Sequence, residues 1–327
     1  MPDIEVKYQL DRSELASLNR LLSAVSEADD HPALDEHAWL DLVQGGRAGF
    51  AGLVARGAGE AEAVGYAQLS REAPPTGQGA GSWALELVVD PGHRGPGSTV
   101  TADLLGRALQ LVAAEGGGHL HLWVSKPSPS HDRLAAAAGL SPGRALYQMR
   151  LALPAEERSE LPVRPFVVGQ DEQAWLEVNN RAFAWHPEQG GWSLATLQAR
   201  EAQPWFDPSG FLLHEHGGRL AGFCWTKLHR HGPEDVGSGD VGESGDVGEI
   251  YVVAVDPDFT GRGLGRRLVL AGLEHMAAQG LPEAMLYVDA TNRRAVKMYV
   301  DLGFVVNHID RAYTGDIAPA GPGCTTS

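Results

Sequence analysis

The chain has 327 residues, 43% of them hydrophobic, and 26 Lys and Arg against 42 Asp and Glu give a formal net charge of −16. That length exceeds one ordinary core and predicts two domains. The acidity excludes a nucleic-acid or anionic-membrane partner, which needs a basic face, and no apolar run approaches the roughly 20 residues of a membrane span.

The opening stretch MPDIEVKYQLDRSEL lacks the basic-then-apolar pattern of a secretory leader. Cys224 and Cys324 stand far apart and imply neither a disulfide framework nor a zinc site. A cytoplasmic protein is expected. ALDEHAWLDL (33–42) reads as an amphipathic helix, with Glu36 among its exposed acids. LVVDPGHRGPGSTVTADLL (87–105) then runs from apolar strand through Asp-Pro and a glycine-rich turn into a helical pattern. HLHLWV (119–124) is a second strand, followed by a helical segment ending at Gly139-Leu140. LPAEERSELPV (153–163), charged and bracketed by prolines, reads as a linker.

In FAWHPEQGGW (183–192), Pro187, Gly190 and Gly191 exclude a helix or strand interior and leave a polar loop. In FCWTKLH (223–229), Phe223, Trp225 and Lys227 alternate onto one strand face, which sets a cation beside aromatics; the plainer alternative for Lys227 is a snorkelling surface lysine. HGPEDVGSGDVGESGDVGE (231–249) carries GDVGE twice and predicts a solvated hairpin loop as far as Gly248, with Glu249 opening the next strand. Strict alternation along that strand places Glu249, Tyr251, Val253 and Val255 on one face and Ile250, Val252 and Ala254 on the other.

DPDFTGRGLGRRL (256–268) follows. Gly261, Gly263 and Gly265 remove side chains where backbone N–H groups converge, and a helix starting near Leu264 adds its positive end. This is a diphosphate cradle, with Arg262, Arg266 and Arg267 as cationic screening; a plain tight strand-to-helix connection is the alternative. AMLYV (284–288) and a helical segment from 292 to Gly303-Phe304 repeat the order of the first half, so the chain holds two copies of one α/β unit.

That order, with NRRAVKMYVDLGF (292–304), resembles the acetyl-CoA-dependent N-acetyltransferase superfamily (GNAT) over most of each half. The resemblance implies an α/β fold of two tandem GNAT-type domains, 1–156 and 157–327, each a mixed, mostly antiparallel sheet flanked by helices. Acetyl-CoA is the implied cosubstrate, without a metal. Its contacts would be Val253, Ala254 and Val255 on the strand, and Thr260, Gly261, Arg262, Gly263, Leu264, Gly265 and Arg266 in the turn. Asn292, Arg293, Arg294, Ala295, Val296 and Lys297 would lie at the segment that closes the thioester end. Thr260 departs from the family's usual Arg or Gln, at the cost of a side-chain contact only.

Glu249 is then the expected general base, directly or through a water, and Tyr299 the acid that protonates the thiolate. Backbone N–H groups around Val253 and Ala254 would stabilise the oxyanion. The plain alternatives are an exposed strand start for Glu249, an aromatic core residue for Tyr299 and a half-buried strand tyrosine for Tyr287. Aligning the Asp-Pro pairs (256 − 90 = 166) sets Trp83 opposite Glu249, Pro96 opposite Arg262 and Thr99 opposite Gly265. Aligning Gly303 with Gly139 (303 − 139 = 164) sets Ser128 opposite Asn292 and Ala135 opposite Tyr299. The N-terminal half is expected to be inactive; either it binds coenzyme weakly through Leu87, Val88, Val89 and the Arg94–Thr99 turn, or it only supports the other half.

VNNRAFAWHPEQGGW (178–192), FCWTKLH, EIYVVAVDP (249–257) and LYVDATN (286–292) further resemble the mycothiol synthase family of tandem GNAT enzymes. That implies acetylation of the cysteinyl amine of a cysteine–glucosamine–inositol pseudo-disaccharide. Glu36, Glu188, Lys227, Glu249 and Tyr287 would be acceptor contacts, with Gly190 and Gly191 letting the loop approach closely. A monomer acting on a small-molecule amine is expected. The rival readings are a GNAT acting on another amine, a non-catalytic acetyl-CoA sensor, and a metal protein using His214, His216, His229 and His231.

Overall fold

The computed structural model describes residues 2–29, 31–44, 48–57, 59, 62–72, 81–95, 97–184, 189–229 and 246–321. These form two compact units. Among the described residues, the first unit runs up to Ala145 and takes in Ile309 onward; the second runs from Leu146 to His308. They are units of packing, whereas the 156/157 division follows chain order from the linker's composition.

The first unit contains β1 (Asp3–Lys7), α1 (Arg12–Asp29), α2 (Glu36–Gln44), β2 (Phe50–Arg56), β3 (Ala63–Glu72), β4 (Ser82–Val89), α3 (Val100–Ala114), β5 (Gly118–Ser125), α4 (Pro129–Ala137) and the start of β6 (Ser141–Ala152). Strands β1 to β4 form an antiparallel meander, and β4 pairs parallel with β5. The sheet's last strand comes from the far end of the chain, where Asp310–Ile317 pair antiparallel with β5. Alternation along each strand feeds two apolar layers. Leu53, Leu69 and Leu85 pack with Leu104, Ala108 and Val112 of α3. Phe50, Tyr66 and Val88 on the other face pack with Leu18, Leu21 and Leu42 of α1 and α2.

The second unit contains β7 (Arg164–Pro165), α5 (Glu172–Ala182), α6 (Leu194–Glu201), β8 (Phe211–His216), β9 (Arg219–His229), β10 (Val247–Val255), α7 (Leu264–Ala278), β11 (Glu283–Asp289), α8 (Arg293–Asp301) and the start of β12 (Val305–Ile317). Strands β7 to β10 are antiparallel, β10 meets β11 in parallel, and Leu146–Ala152 of β6 close the sheet against β11. Leu264, Leu268, Val269 and Met276 of α7 cover one face with Ile250, Ala284 and Leu286. Trp175, Trp192, Phe211, Phe223 and Trp225 fill the other, beneath α5 and α6.

Strand β10 starts at Val247, two residues earlier than expected, because Val247 and Gly248 pair with His229 and Leu228. Gly248 is strand because it pairs with Leu228 and Ala284, and it is glycine because a Cβ there would run into Met276 Sδ of α7. Only glycine lets the helix settle so close.

Candidate active site

Strand β10 carries a β-bulge between Ile250 and Val252: Ile250 pairs with Thr226 and Val252 with Trp225, leaving Tyr251 as the extra residue. The bulge overturns the strict alternation expected from sequence. Ile250, Val253 and Val255 face α7, while Tyr251, Val252 and Ala254 face α5 and α6. One inserted residue exchanges the faces downstream of it. At the same level β10 and β11 part: they pair only at Gly248–Ala284 and Glu249–Met285, although both strands continue. The edge of Val252–Val255 turned away from β9 therefore carries no ladder to β11, and backbone groups so placed need another partner.

Glu249 stands where the strands separate, 12% exposed at its side chain, with Oε2 2.9 Å from Nε2 of His229. Directly across on β9 is Lys227. Lys227 is 3% exposed, and its Nζ lies 4.8 Å from the ring centre of Trp205 and 6.0 Å from that of Tyr251. A surface lysine would snorkel; this one is held under aromatic rings, an environment that favours a cation. Arg200 of α6, also buried, donates from Nε to Tyr251 Oη at 2.9 Å and stacks 4.1 Å over Trp192. On β11, Tyr287 alternates with the α7-facing Leu286 and Val288, so it shares Glu249's face. It is 39% exposed, and its hydroxyl accepts from Gln148 Nε2 at 3.0 Å.

The far end of the 183–192 loop is tied to α5. Asn179 Nδ2 donates to Gln189 O, Asn180 Nδ2 to Trp192 O, and Trp192 N to Asn180 Oδ1. Ser193 then caps α6 by accepting from Thr196 N. Gly191 has φ +75° and open space where a Cβ would stand, so its left-handed backbone, not crowding by the protein, requires glycine. His186, Pro187 and Glu188 lie outside the described residues. Glu36 opens α2 of the first unit, with its side chain likewise outside them.

Below the bulge, Asp256 ends the strand 1% exposed. Its carboxylate accepts from Asp258 N and from Arg181 Nη1, which fixes the corner. Gly261 and Gly263 adopt φ of +80° and +72°, and Gly263 is the N-cap of α7. The first turn of α7 holds no acid, so its positive end is uncompensated. Of the turn's cations, Arg262 lies over Phe259, Arg266 pairs with Glu157, and Arg267 donates to Arg262 O. Thr260 Oγ1 bonds Pro257 O.

Asn292 caps α8 through Ala295 N, and Lys297 pairs with Asp301 on the helix surface. Tyr299 points from α8 into the α7 layer, 6% exposed, against Phe304. Burial, reinforced by Cys224, pushes its phenol above the ordinary range, so it is protonated. Cys224 is itself pushed up to about 12 by burial, which removes it as a thiolate nucleophile. Among the described residues no three His, Cys, Asp or Glu side chains cluster around a metal position. His214 bonds Pro162 O and His229 bonds Glu249, while His231 lies outside the described residues.

A bulged strand that leaves its parallel neighbour above a glycine-capped helix presents a free strand edge beside a positive helix end. The family described as Acetyltransferase (GNAT) matches residues 175–304. Mycothiol acetyltransferases from Thermobispora bispora and Acidimicrobium ferrooxidans are 44% and 41% identical, over 90% and 89% of this chain and 93% and 90% of theirs. The one from Streptomyces coelicolor is 40% identical over 95% of this chain and 94% of its own. The chain belongs to the mycothiol acetyltransferase family. It is an acetyl-CoA-dependent N-acetyltransferase of GNAT type. The fold is shared with a GCN5-related N-acetyltransferase from Sphaerobacter thermophilus, which is 23% identical, covers 97% of both chains and has a TM-score of 0.64. It is shared too with a tandem GNAT protein from the clavulanic acid pathway, which is 19% identical, covers 98% of this chain and 100% of that one, and has a TM-score of 0.65.

The other GNAT unit shares the parting of the strands, since β4 pairs with β5 only as far as Leu85–Leu122, but it lacks the bulge. Its β4 pairs with β3 in unbroken register from Ser82 to Val89. Without a bulge, the residue matching Glu249 on the α1–α2 face is Ala84 and not Trp83, which faces α3. The offset read from the Asp-Pro pairs fails above the bulge by one residue. Helix α3 begins at Val100 after its N-cap Thr99, and Asp103 sits in its first turn, where a carboxylate opposes a bound diphosphate. Arg94 is turned onto Val89 O and Asp29. No helix among the described residues is long and apolar enough to cross a membrane.

Proposed function

We propose that this chain transfers the acetyl group of acetyl-CoA to the cysteinyl amine of a cysteine–glucosamine–inositol pseudo-disaccharide, the last step of mycothiol biosynthesis, and that residues 157–327 perform it. The bulge in β10 carries the reading. It keeps Glu249 on the acceptor face while Val253 and Val255 turn to α7, beside the edge that β10 leaves free where it parts from β11 and that would take the pantetheine arm.

The names of relatives 40–44% identical over most of the chain support the acceptor. So does the chemistry of the face. A cysteinyl amine on a sugar and an inositol presents one ammonium and many hydroxyls, which suit Glu249, Lys227 and Tyr287 among aromatic rings. Glu188 is the expected further acceptor contact by family resemblance alone. In the reaction Glu249 removes a proton from the acceptor ammonium, and the neutral amine attacks the thioester carbonyl. Backbone N–H groups near Val253 and Ala254 hold the oxyanion. The C–S bond then breaks, Tyr299 protonates the thiolate and regains its proton from the amine's second one, and Glu249 gives its proton to solvent. One C–N bond forms and one proton is released overall.

The coenzyme diphosphate is assigned to Thr260–Arg266 and the thioester end to Asn292–Lys297. In the other half only Leu87–Val89 remain as coenzyme contacts. The enzyme is assigned as a cytoplasmic monomer, and its acidity agrees with a small-molecule acceptor over a nucleic acid. The test is thiol release from acetyl-CoA against a panel of amines. The cysteinyl pseudo-disaccharide should exceed the des-cysteinyl amine and simple aminoglycosides by at least tenfold in kcat/KM. Equal rates across the panel would refute the acceptor assignment.

A further inference from the structure

We propose that His229 is a positioning residue for Glu249, holding one oxygen of that carboxylate so that the other meets the acceptor amine. The inference rests on the reading of Glu249 as general base. His229 ends β9 one alternation beyond Lys227, on the sheet face that carries Glu249, and its Nε2 reaches Glu249 Oε2 at 2.9 Å. The two side chains are only 10% and 12% exposed, so solvent competes little for the bond.

Among the described residues, this contact is the side-chain hydrogen bond that aims the carboxylate. Glu249 sits where β10 leaves β11, beside a gap and not inside a continuous sheet. A flexible side chain at such an edge has several rotamers, and a base must lie within hydrogen-bond reach of the proton it removes. A ring nitrogen anchored on the neighbouring strand selects one of them. His229 is itself held by the backbone register Val247–His229, two residues before Glu249 on β10. Among the described residues, the titratable and charged groups on this face include Lys227 and His229 from β9, Tyr287 and Glu283 from β11, Arg150 of β6, which pairs with Glu283, and Tyr251 of β10 with Arg200 of α6 behind it.

The experiment compares His229→Ala, His229→Gln, Glu249→Gln and the double variant His229→Ala/Glu249→Gln in the full chain. The measurements are kcat, acceptor KM, acetyl-CoA Kd and the pH profile of kcat/KM. A glutamine amide reaches the place of Nε2 and still donates, but does not titrate. His229→Ala should lower kcat by roughly tenfold or more, part of the 10²–10⁴ that a general base supplies. His229→Gln should recover most of that rate while the acid limb of the profile moves, since the imidazole is gone. Acetyl-CoA Kd should stay within about twofold. The double variant should fall no lower than Glu249→Gln alone, because the two residues act as one unit.

His229→Ala with wild-type kcat and pH profile, beside a crippled Glu249→Gln, overturns the role of His229 and leaves the base assignment standing. Equal losses in the Ala and Gln variants, accompanied by weakened acetyl-CoA binding, overturn it as well, in favour of simple support of the strand. Wild-type turnover by Glu249→Gln instead overturns the base assignment, and this inference with it.

Discussion

Lys227 Nζ sits 4.8 Å from the ring centre of Trp205 and is buried on the face of β9 that looks across to Glu249. A cation placed there is stabilised by the ring's negative face, by about 0.5–2 kcal/mol depending on desolvation. Replacing Trp205 by alanine removes the ring while leaving the ammonium. The expected result is an acceptor KM raised about 2- to 30-fold, the same energy expressed as affinity. Acetyl-CoA Kd should not move, and Trp205→Phe should fall between. If acceptor KM holds steady in Trp205→Ala, the Lys227 face is not where the acceptor binds.

Tyr299 supplies a second prediction. Burial raises its phenol, with Cys224 adding to the effect, so the hydroxyl keeps its proton across the working range. A group that donates its proton is competent below its pKa and fails above it. Raising that pKa moves the failure further into base. Tyr299→Phe should lower kcat by roughly 10- to 100-fold, within the general acid–base range. The wild-type kcat profile should show no basic limb assignable to Tyr299 below about pH 10, the ordinary phenol value. Full turnover by Tyr299→Phe would return the residue to a purely packing role against Phe304.

The glycine cradle gives a third. Gly263 has φ +72° at the N-cap of α7, and a Cβ there would meet no protein atom within 4 Å. Gly263→Ala therefore tests backbone conformation and not crowding. Left-handed backbone costs a side-chain-bearing residue about 1–2 kcal/mol. Relaxing that strain should rotate the N–H groups aimed at the diphosphate. Acetyl-CoA Kd should rise about 5- to 30-fold on that energy, with acceptor KM little changed at saturating coenzyme. A change confined to thermal stability would argue that the turn is only a connection.

Much of this site is written locally in the chain and some of it is not. Gly261, Gly263 and the helix start at Leu264 are legible because turn and cap chemistry depend on neighbouring residues. The aromatic alternation of Phe223 and Trp225 is legible for the same reason. The bulge at Tyr251 is not, because nothing in EIYVVAV distinguishes an extra residue from a regular strand. The partner strand decides it, and face assignments and offsets across the bulge fail together. Sequence spacing reads His229 as a possible metal ligand and places it on the face of Lys227; the register with β10 is what brings it to Glu249. Arg200 and Trp205 were invisible, since only the packing of α6 over the sheet brings them to Tyr251. The strand from Asp310 to Ile317 that completes the first unit cannot be found by comparing the halves in chain order.

A fourth prediction concerns that first unit, where Glu86 of β4 accepts from Asp35 N at 2.9 Å. Burial, then the carboxylates of Asp35 and Asp310, hold its carboxyl well above the usual range. The folded protein therefore binds this proton more tightly than the unfolded chain does. Above the folded pKa the fold must carry an ionised Glu86 beside other acids, which costs stability. As pH falls through the folded pKa that cost begins to shrink, and below the ordinary carboxylate range of about 4.3 the two states are matched in protonation and it is gone. Glu86→Gln keeps the acceptor for Asp35 N and removes the charge. It should stabilise the protein against urea at about pH 7.5, with the gain shrinking steadily as the pH is lowered towards about 4.5. Because Glu86 lies outside the unit proposed to be catalytic, kcat should stay within about twofold of wild type. Destabilisation at neutral pH would mean that the carboxylate form is the one the fold requires.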